Sequence, residues 1–231
     1  MLKIHGVPFS AHTRKVIIAA LEKGISYEVV PVIPLTPPDG WLELSPLGLI
    51  PIIQDGDFTL ADSTAICQYF DRAYPGVSLY PGDARQFARV VWLEEFVDSG
   101  LAPHVLRGLL MQRVFAPKFL GKAPDEALIQ TSLTQMIPAR FGYLEQALRG
   151  DWFVANAFSM ADIAVASILM NYHFAGEVID SARYPKLAAF LARALARPSF
   201  RRALQAEIPA AQSVGALDLR VYDQPFQGKA A

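Results

Sequence analysis

Two kinds of apolar spacing divide this chain. Short extended runs alternate with helical stretches over the first 80 residues, and beyond Asp83 helical spacing takes over almost completely. Met1 to His5 is an extended run closed by Gly6 and Pro8. From Ala11 to Lys23 the apolar residues fall into helical spacing, with Val16, Ile17, Ala20 and Leu21 on one stripe and Arg14, Lys15 and Glu22 away from it. Gly24 supplies the stop. Ser26 to Ile33 is β-branched and apolar, so a second strand is predicted. The strand–helix–strand order implies a right-handed crossover onto a parallel sheet. After the proline-rich turn Pro34 to Gly40 and a short Trp41 to Leu44 segment, Ile50 to Gln54 and Phe58 to Leu60 flank Asp55-Gly56-Asp57 as a hairpin. A helix opening near Ser63 carries Ile66, Phe70 and Ala73 and ends at Tyr74-Pro75-Gly76.

Helical periodicity then runs through Ala84 to Phe115, Asp125 to Leu148, Met160 to Phe174 and Tyr184 to Ala196, with Pro103 and Pro138 as kinks, which predicts a helical bundle. Ser159-Met160-Ala161-Asp162 has the spacing of a capping box, and Phe158 and Ile163 that of a hydrophobic staple. The run that follows is apolar nearly all round, so this helix is expected at the centre of the bundle. Replacing Asp162 by alanine is expected to cost about 1 kcal/mol or somewhat more without touching chemistry. From Ile208 onward no period is sustained, which predicts a tail, either disordered or draped over a cleft. The expected division is therefore a sheet-containing domain over 1–80, a helical domain over 85–207 and a tail over 208–231.

Composition narrows the partners. A hydrophobic content of 52% against 19% charge supports a large core. Lysine plus arginine (21) nearly balance aspartate plus glutamate (22), so no strong field is expected to attract nucleic acid or an anionic membrane. Cys67 is the only cysteine, which excludes an internal disulfide framework and a cysteine-rich zinc site, fits a reducing compartment, and points to the cytoplasm. No secretory leader is read at MLKIHGVPFSAHTRK and no apolar run approaches a bilayer span, so a soluble, unprocessed chain is expected.

Four segments give this layout a resemblance: Pro8-Phe9-Ser10-Ala11-His12-Thr13-Arg14-Lys15-Val16, Ser45-Pro46-Leu47-Gly48-Leu49-Ile50-Pro51, Asp62-Ser63-Thr64-Ala65-Ile66 and Ser159-Met160-Ala161-Asp162-Ile163. Each alone is common; the set in this order resembles the glutathione transferase superfamily, from Leu2 to about Arg202. The resemblance implies a thioredoxin-like α/β domain followed by an all-α bundle, glutathione as cosubstrate, no metal, and a homodimer in the cytoplasm. It further implies that Ser10 matches the residue that, in serine-type members, donates a hydrogen bond to the sulfur of glutathione. Read from the residues alone, Ser10 is equally a helix cap, and Thr13 is the alternative hydroxyl donor. The loop holds no cysteine, which argues against members that act as thiol reductases, and Cys67 reads as a small core residue. His12 is given no role.

Ile50-Pro51 resembles the family's cis-proline turn, in which the residue before proline pairs with the cysteinyl part of glutathione; an ordinary trans strand start is the other reading. Asp62-Ser63 matches an acidic-Ser pair that holds the γ-glutamyl end, with Ser63 and the helix N-terminus on its carboxylate and Asp62 on its ammonium. Plain N-capping is the competing reading. Leu49 stands where many members carry lysine or another polar residue, beside the glycyl end. For a hydrophobic electrophile, Phe9, His104, Arg107 and Met111 are the candidates, the last three sharing one helical face with Gly108; an ordinary solvated face explains them as well. Conjugation of glutathione to that electrophile is the first reading. A glutathione-dependent isomerase or dehalogenase is the second, and a non-catalytic binding protein on the same scaffold the third.

Overall fold

The computed structural model describes residues 1–223. Leu2 and Ile4 alternate with Lys3 and His5, and burial of the first pair makes Leu2–His5 the strand β1. Helix α1 (Ala11–Glu22) crosses to β2 (Tyr27–Val30), which pairs parallel to β1. A short helix α2 (Trp41–Leu44) precedes β3 (Ile52–Asp55), antiparallel to the other edge of β1. A turn through Gly56 at φ 63° then leads into β4 (Phe58–Ala61). The sheet order is β2-β1-β3-β4, and α3 (Ser63–Ala73) leaves its far edge. This is the thioredoxin-like unit.

The helical unit starts with α4 (Ala84–Glu95), whose axis continues through two π-wound stretches, Phe96–Leu101 and Pro103–Phe115. It goes on through α5 (Ala116–Leu120), α6 (Glu126–Thr131), a π-wound Ser132–Met136, α7 (Ile137–Ala147), α8 (Met160–Phe174), α9 (Pro185–Leu195) and α10 (Pro198–Val214), to a 3₁₀ turn at Arg220–Asp223. Every residue of α8 is buried, so it forms the centre of the bundle. Its start is held by a capping box in which the Asp162 carboxylate accepts from Ser159 N at 2.8 Å, from Phe153 N at 3.0 Å and from Ser159 Oγ at 3.0 Å. No helix among the described residues is long and apolar enough to cross a membrane.

Two expectations change. The tail expected from Ile208 begins inside a helix: α10 continues to Val214 with Pro209 within it, burying Glu207, Ala211 and Val214. Past Glu207 its buried positions are only Ala211 and Val214, with Pro209 between, too few to mark an apolar stripe in the sequence. The rest of that segment, 224–231, lies outside the described residues. The second change is in α1. Arg14 and Lys15, set apart from the apolar stripe in the sequence, are 0% and 1% exposed. Helix α1 is enclosed by α3 on one side and by α8 and α10 on the other, so it has no solvent face for them to occupy.

Candidate active site

Strand register assembles the site. His5 pairs with Ile52, and Ile52 with Ala61, so the end of β1, the start of β3 and the end of β4 lie side by side. The chain therefore leaves β1 into Gly6–Ser10, enters β3 through Ile50–Pro51 and leaves β4 into Asp62–Ser63 at one end of the strands. The Ile50–Pro51 peptide is cis. Gly6 sits where two of these segments meet: a Cβ there would come within 2.5 Å of Thr13 Oγ1 and 3.4 Å of Ile50 Cβ, so glycine lets the β1 loop close against α1 and the Ile50–Pro51 turn. A His5 Nε2–Gln54 Oε1 hydrogen bond of 2.8 Å ties β1 to β3 beside it.

The two hydroxyls of the Ser10 loop differ sharply. Ser10 occupies the N-cap position of α1 with extended backbone, yet its side chain makes no capping bond, and it stays partly exposed. The hydroxyl is thus free of the role that competed with a functional one. Thr13 is fully buried against Gly6, and its Oγ1 has no hydrogen-bond partner among the described residues. It is enclosed, and so unsuited to meet a ligand.

At the third segment, Asp62 holds φ 76°, a left-handed conformation rarely adopted by a non-glycine residue. Its Oδ1 accepts from Thr64 N at 2.9 Å and Ala65 N at 3.0 Å, capping α3. The capping reading of Asp62 is therefore realised, and its other oxygen stays at the exposed rim. Ser63 follows at the first turn, 4% exposed. Leu49 is exposed, and Ile50 lies outside the β-ladder, which begins at Ile52.

Beneath these segments is a charge cluster that the apolar spacing did not reveal. Lys15 Nζ donates to Thr64 Oγ1 at 2.8 Å and pairs with Glu94 at 2.9 Å and Asp98 at 3.1 Å, linking α1, α3 and α4 with its continuation. Burial works against the charge on Lys15, but the two carboxylates outweigh it and hold its pKa above the ordinary lysine value. Burial would raise the Asp98 carboxyl, yet the nearby His12 and the charge and hydrogen bond of Lys15 pull it well below the usual carboxylate range. His12 Nδ1 lies 3.4 Å from Asp98. The available signal was the Arg14-Lys15 pair inside an otherwise apolar helix, which requires buried acids elsewhere in the chain.

The electrophile candidates do not gather as expected. Phe9 is 8% exposed and belongs to the main core, so its ring offers little surface to a substrate. His104, Arg107 and Met111 lie on the π-wound stretch Pro103–Phe115. A π-turn closes on the fifth residue, so positions three apart no longer stack as they do on an α-helix. Gly108 packs on Ser132, and burial together with the charge of Arg140 lowers the His104 pKa. Those neighbours belong to the Ser132–Met136 stretch and α7, not to the Ser10 loop. Arg107 is exposed and Met111 half-buried.

This end of the sheet combines an unspent hydroxyl at a helix N-terminus, a cis-proline turn whose Ile50 lies outside the β-ladder, and a second helix N-terminus bordered by an acid. That donor set suits a peptide-like anion; among the described residues no cluster of three or more His, Cys, Asp or Glu is placed to hold a metal ion. The chain matches the sequence model of the glutathione S-transferase N-terminal domain over residues 4–78 and that of the glutathione S-transferase C-terminal domain over 111–207. It is 31% identical over 220 residues to glutathione S-transferase 3 of Zea mays, covering 89% of this chain and 94% of that one. A glutathione S-transferase from Sinorhizobium meliloti 1021 superposes with a TM-score of 0.85 at 26% identity, over 98% of this chain and 99% of that one. Another, from Methylobacillus flagellatus and solved with GSH bound, has a TM-score of 0.74 at 28% identity, over 88% and 98%.

Proposed function

The chain belongs to the glutathione S-transferase family, and from that premise we propose that Ser10 activates the thiol of bound glutathione for attack on a small, hydrophobic electrophile. The protein is a glutathione transferase with glutathione as cosubstrate. The observation that carries the role of Ser10 is its hydroxyl, unused in capping α1, on the loop that leaves β1 where the cis Ile50–Pro51 turn enters the neighbouring β3.

The energetics agree with that role. Lowering a thiol pKa by about 2 units requires about 2.7 kcal/mol of differential stabilisation. A hydrogen bond to a charged acceptor supplies about 1.5–3 kcal/mol, and a helix N-terminus a further 0.3–1 kcal/mol or so. The Ser10 Oγ–H donates to the sulfur while the first N–H groups of α1 favour the negative charge. Ile50 offers its backbone N–H and C=O to the cysteinyl residue, with Pro51 shaping the turn and Leu49 bordering the glycyl end. Ser63 and the N-terminus of α3 take the γ-glutamyl carboxylate, and the outer oxygen of Asp62 takes the ammonium. In this reading residues 1–80 hold glutathione, and 85–207 supply the electrophile side, where His104, Arg107 and Met111 are the accessible candidates. We also infer a cytoplasmic homodimer; the exposed rings of Phe58 and Trp92 are apolar surface that supports subunit pairing.

Steady-state kinetics of glutathione with chlorodinitrobenzene test the reading. Ser10→Ala is expected to lower kcat about tenfold to a hundredfold, the loss of one hydrogen bond to a charged acceptor, with the KM for glutathione changed less than about threefold. An unchanged kcat in folded Ser10→Ala would overturn it.

A further inference from the structure

Arg14 lies four residues beyond Ser10 and is completely buried. A guanidinium has five N–H donors in a fixed planar fork, and here every one is used. Nε donates to Glu207 Oε2 at 2.8 Å, Nη1 to Ser167 O and Asn171 Oδ1 at 2.9 Å each, and Nη2 to Phe9 O at 2.9 Å and Glu207 Oε1 at 3.0 Å. The Phe174 ring covers it at 5.3 Å. Tyr222 donates its hydroxyl to Glu207 Oε1 at 2.9 Å, so the acid is itself held in place by the last described turn of the chain.

One of these bonds reaches the active-site loop. The Phe9 carbonyl shares a peptide plane with the Ser10 N–H, which donates to Val7 O at 3.0 Å, so that plane is gripped at both edges. The peptide on the other side of Ser10 is tied to the same residue, because the Arg14 N–H donates to Ser10 O at 2.8 Å. With both flanking planes fixed, the φ and ψ of Ser10 are fixed, and with them the direction of its Cα–Cβ bond.

We propose that Arg14 is a positioning residue that aims the Ser10 hydroxyl, and that Glu207 and Tyr222 set Arg14 from the C-terminal side. The guanidinium turns the docking of α8 and α10 into a defined backbone conformation at Ser10. Lysine cannot replace it: an ammonium has three donors and no plane, and leaves Phe9 O without its partner. The inference rests on the reading of Ser10 as thiol activator.

A double-mutant cycle of Ser10→Ala and Arg14→Lys tests it, with kcat for glutathione and chlorodinitrobenzene and the pH profile of kcat/KM as readouts. Where Ser10 is present, Arg14→Lys should lower kcat about tenfold and move the rising limb of the profile up by about one pH unit. In the Ser10→Ala background it should lower kcat by less than about twofold, because residues that act through one another are not additive. Equal losses in both backgrounds, or no loss in a folded Arg14→Lys protein, would overturn the proposal. Tyr222→Phe, which leaves the Arg14–Glu207 ion pair in place, is carried through the same cycle as a milder perturbation. A loss of about twofold is expected only where Ser10 is present, and an equal loss in both backgrounds, or none, overturns the proposal even if Arg14→Lys does not fold. If Ser10→Ala alone leaves kcat unchanged, the reading of Ser10 itself has failed, and the proposal falls with it.

Discussion

Ser10 and Thr13 are hydroxyls one helical turn apart, and their surroundings decide between them. Ser10 has its hydroxyl free at a partly exposed helix start, whereas Thr13 is sealed against Gly6 with no partner for Oγ1. A buried hydroxyl without a partner bears its desolvation cost unrelieved, so removing it is close to neutral or stabilising. Thr13→Val should therefore leave kcat within about twofold of wild type and leave urea stability unchanged or raised by up to about 1 kcal/mol. A large kcat loss would transfer the donor role to Thr13. Ser10 was singled out by the family resemblance, since the residues alone read equally as a helix cap. That its cap bond is unmade was not visible, since it depends on side-chain rotation. The direction of the Phe9 ring was hidden for a related reason: a loop position says nothing of which way a ring turns, and this one packs into the core.

Among the elements, α8 was the most legible, because a helix apolar on all sides has no surface to offer to water, and its capping residues are local in sequence. Asp162 there satisfies two backbone N–H groups and one hydroxyl, all away from solvent. Asp162→Ala leaves these donors stranded at about 1–3 kcal/mol each, so equilibrium unfolding should show a loss of about 3 kcal/mol or more, above the cost of an ordinary cap. A loss below about 1 kcal/mol would mean that water replaces the carboxylate. The long helix through His104, Arg107 and Met111 was legible as a helix but not in its winding. Helical spacing assumed an α period, and π-winding re-sorts the side chains without altering the residue types. In the part of α10 beyond Glu207 only Ala211 and Val214 are buried, with Pro209 between, which is too little apolar spacing to detect.

Across the whole molecule, the two units are joined through α1 by two buried cations. Arg14 reaches α8 and α10, and Lys15 reaches α3, α4 and Asp98 beyond it. Neither pairing was legible, because Glu94 and Glu207 lie far along the chain among apolar residues and only the fold brings them near. Asp98 gives this junction a pH signature. Its pKa is depressed in the folded state, so its contribution to stability is complete above the unfolded value of about 3.9 and is lost as pH falls through the folded one. Asp98→Asn should lower unfolding free energy by about 1–3 kcal/mol near neutrality. The gap to wild type should close as pH falls below about 4. A gap independent of pH would assign the loss to packing instead.

The central claim is that Ser10 lowers the pKa of the glutathione thiol, and ultraviolet difference spectroscopy of the bound thiolate across pH measures this directly. The wild-type complex should show thiolate at neutral pH and titrate about 2 units below the free thiol, while Ser10→Ala, still binding glutathione, should titrate close to the free value. The same thiolate titration in both proteins would contradict the account.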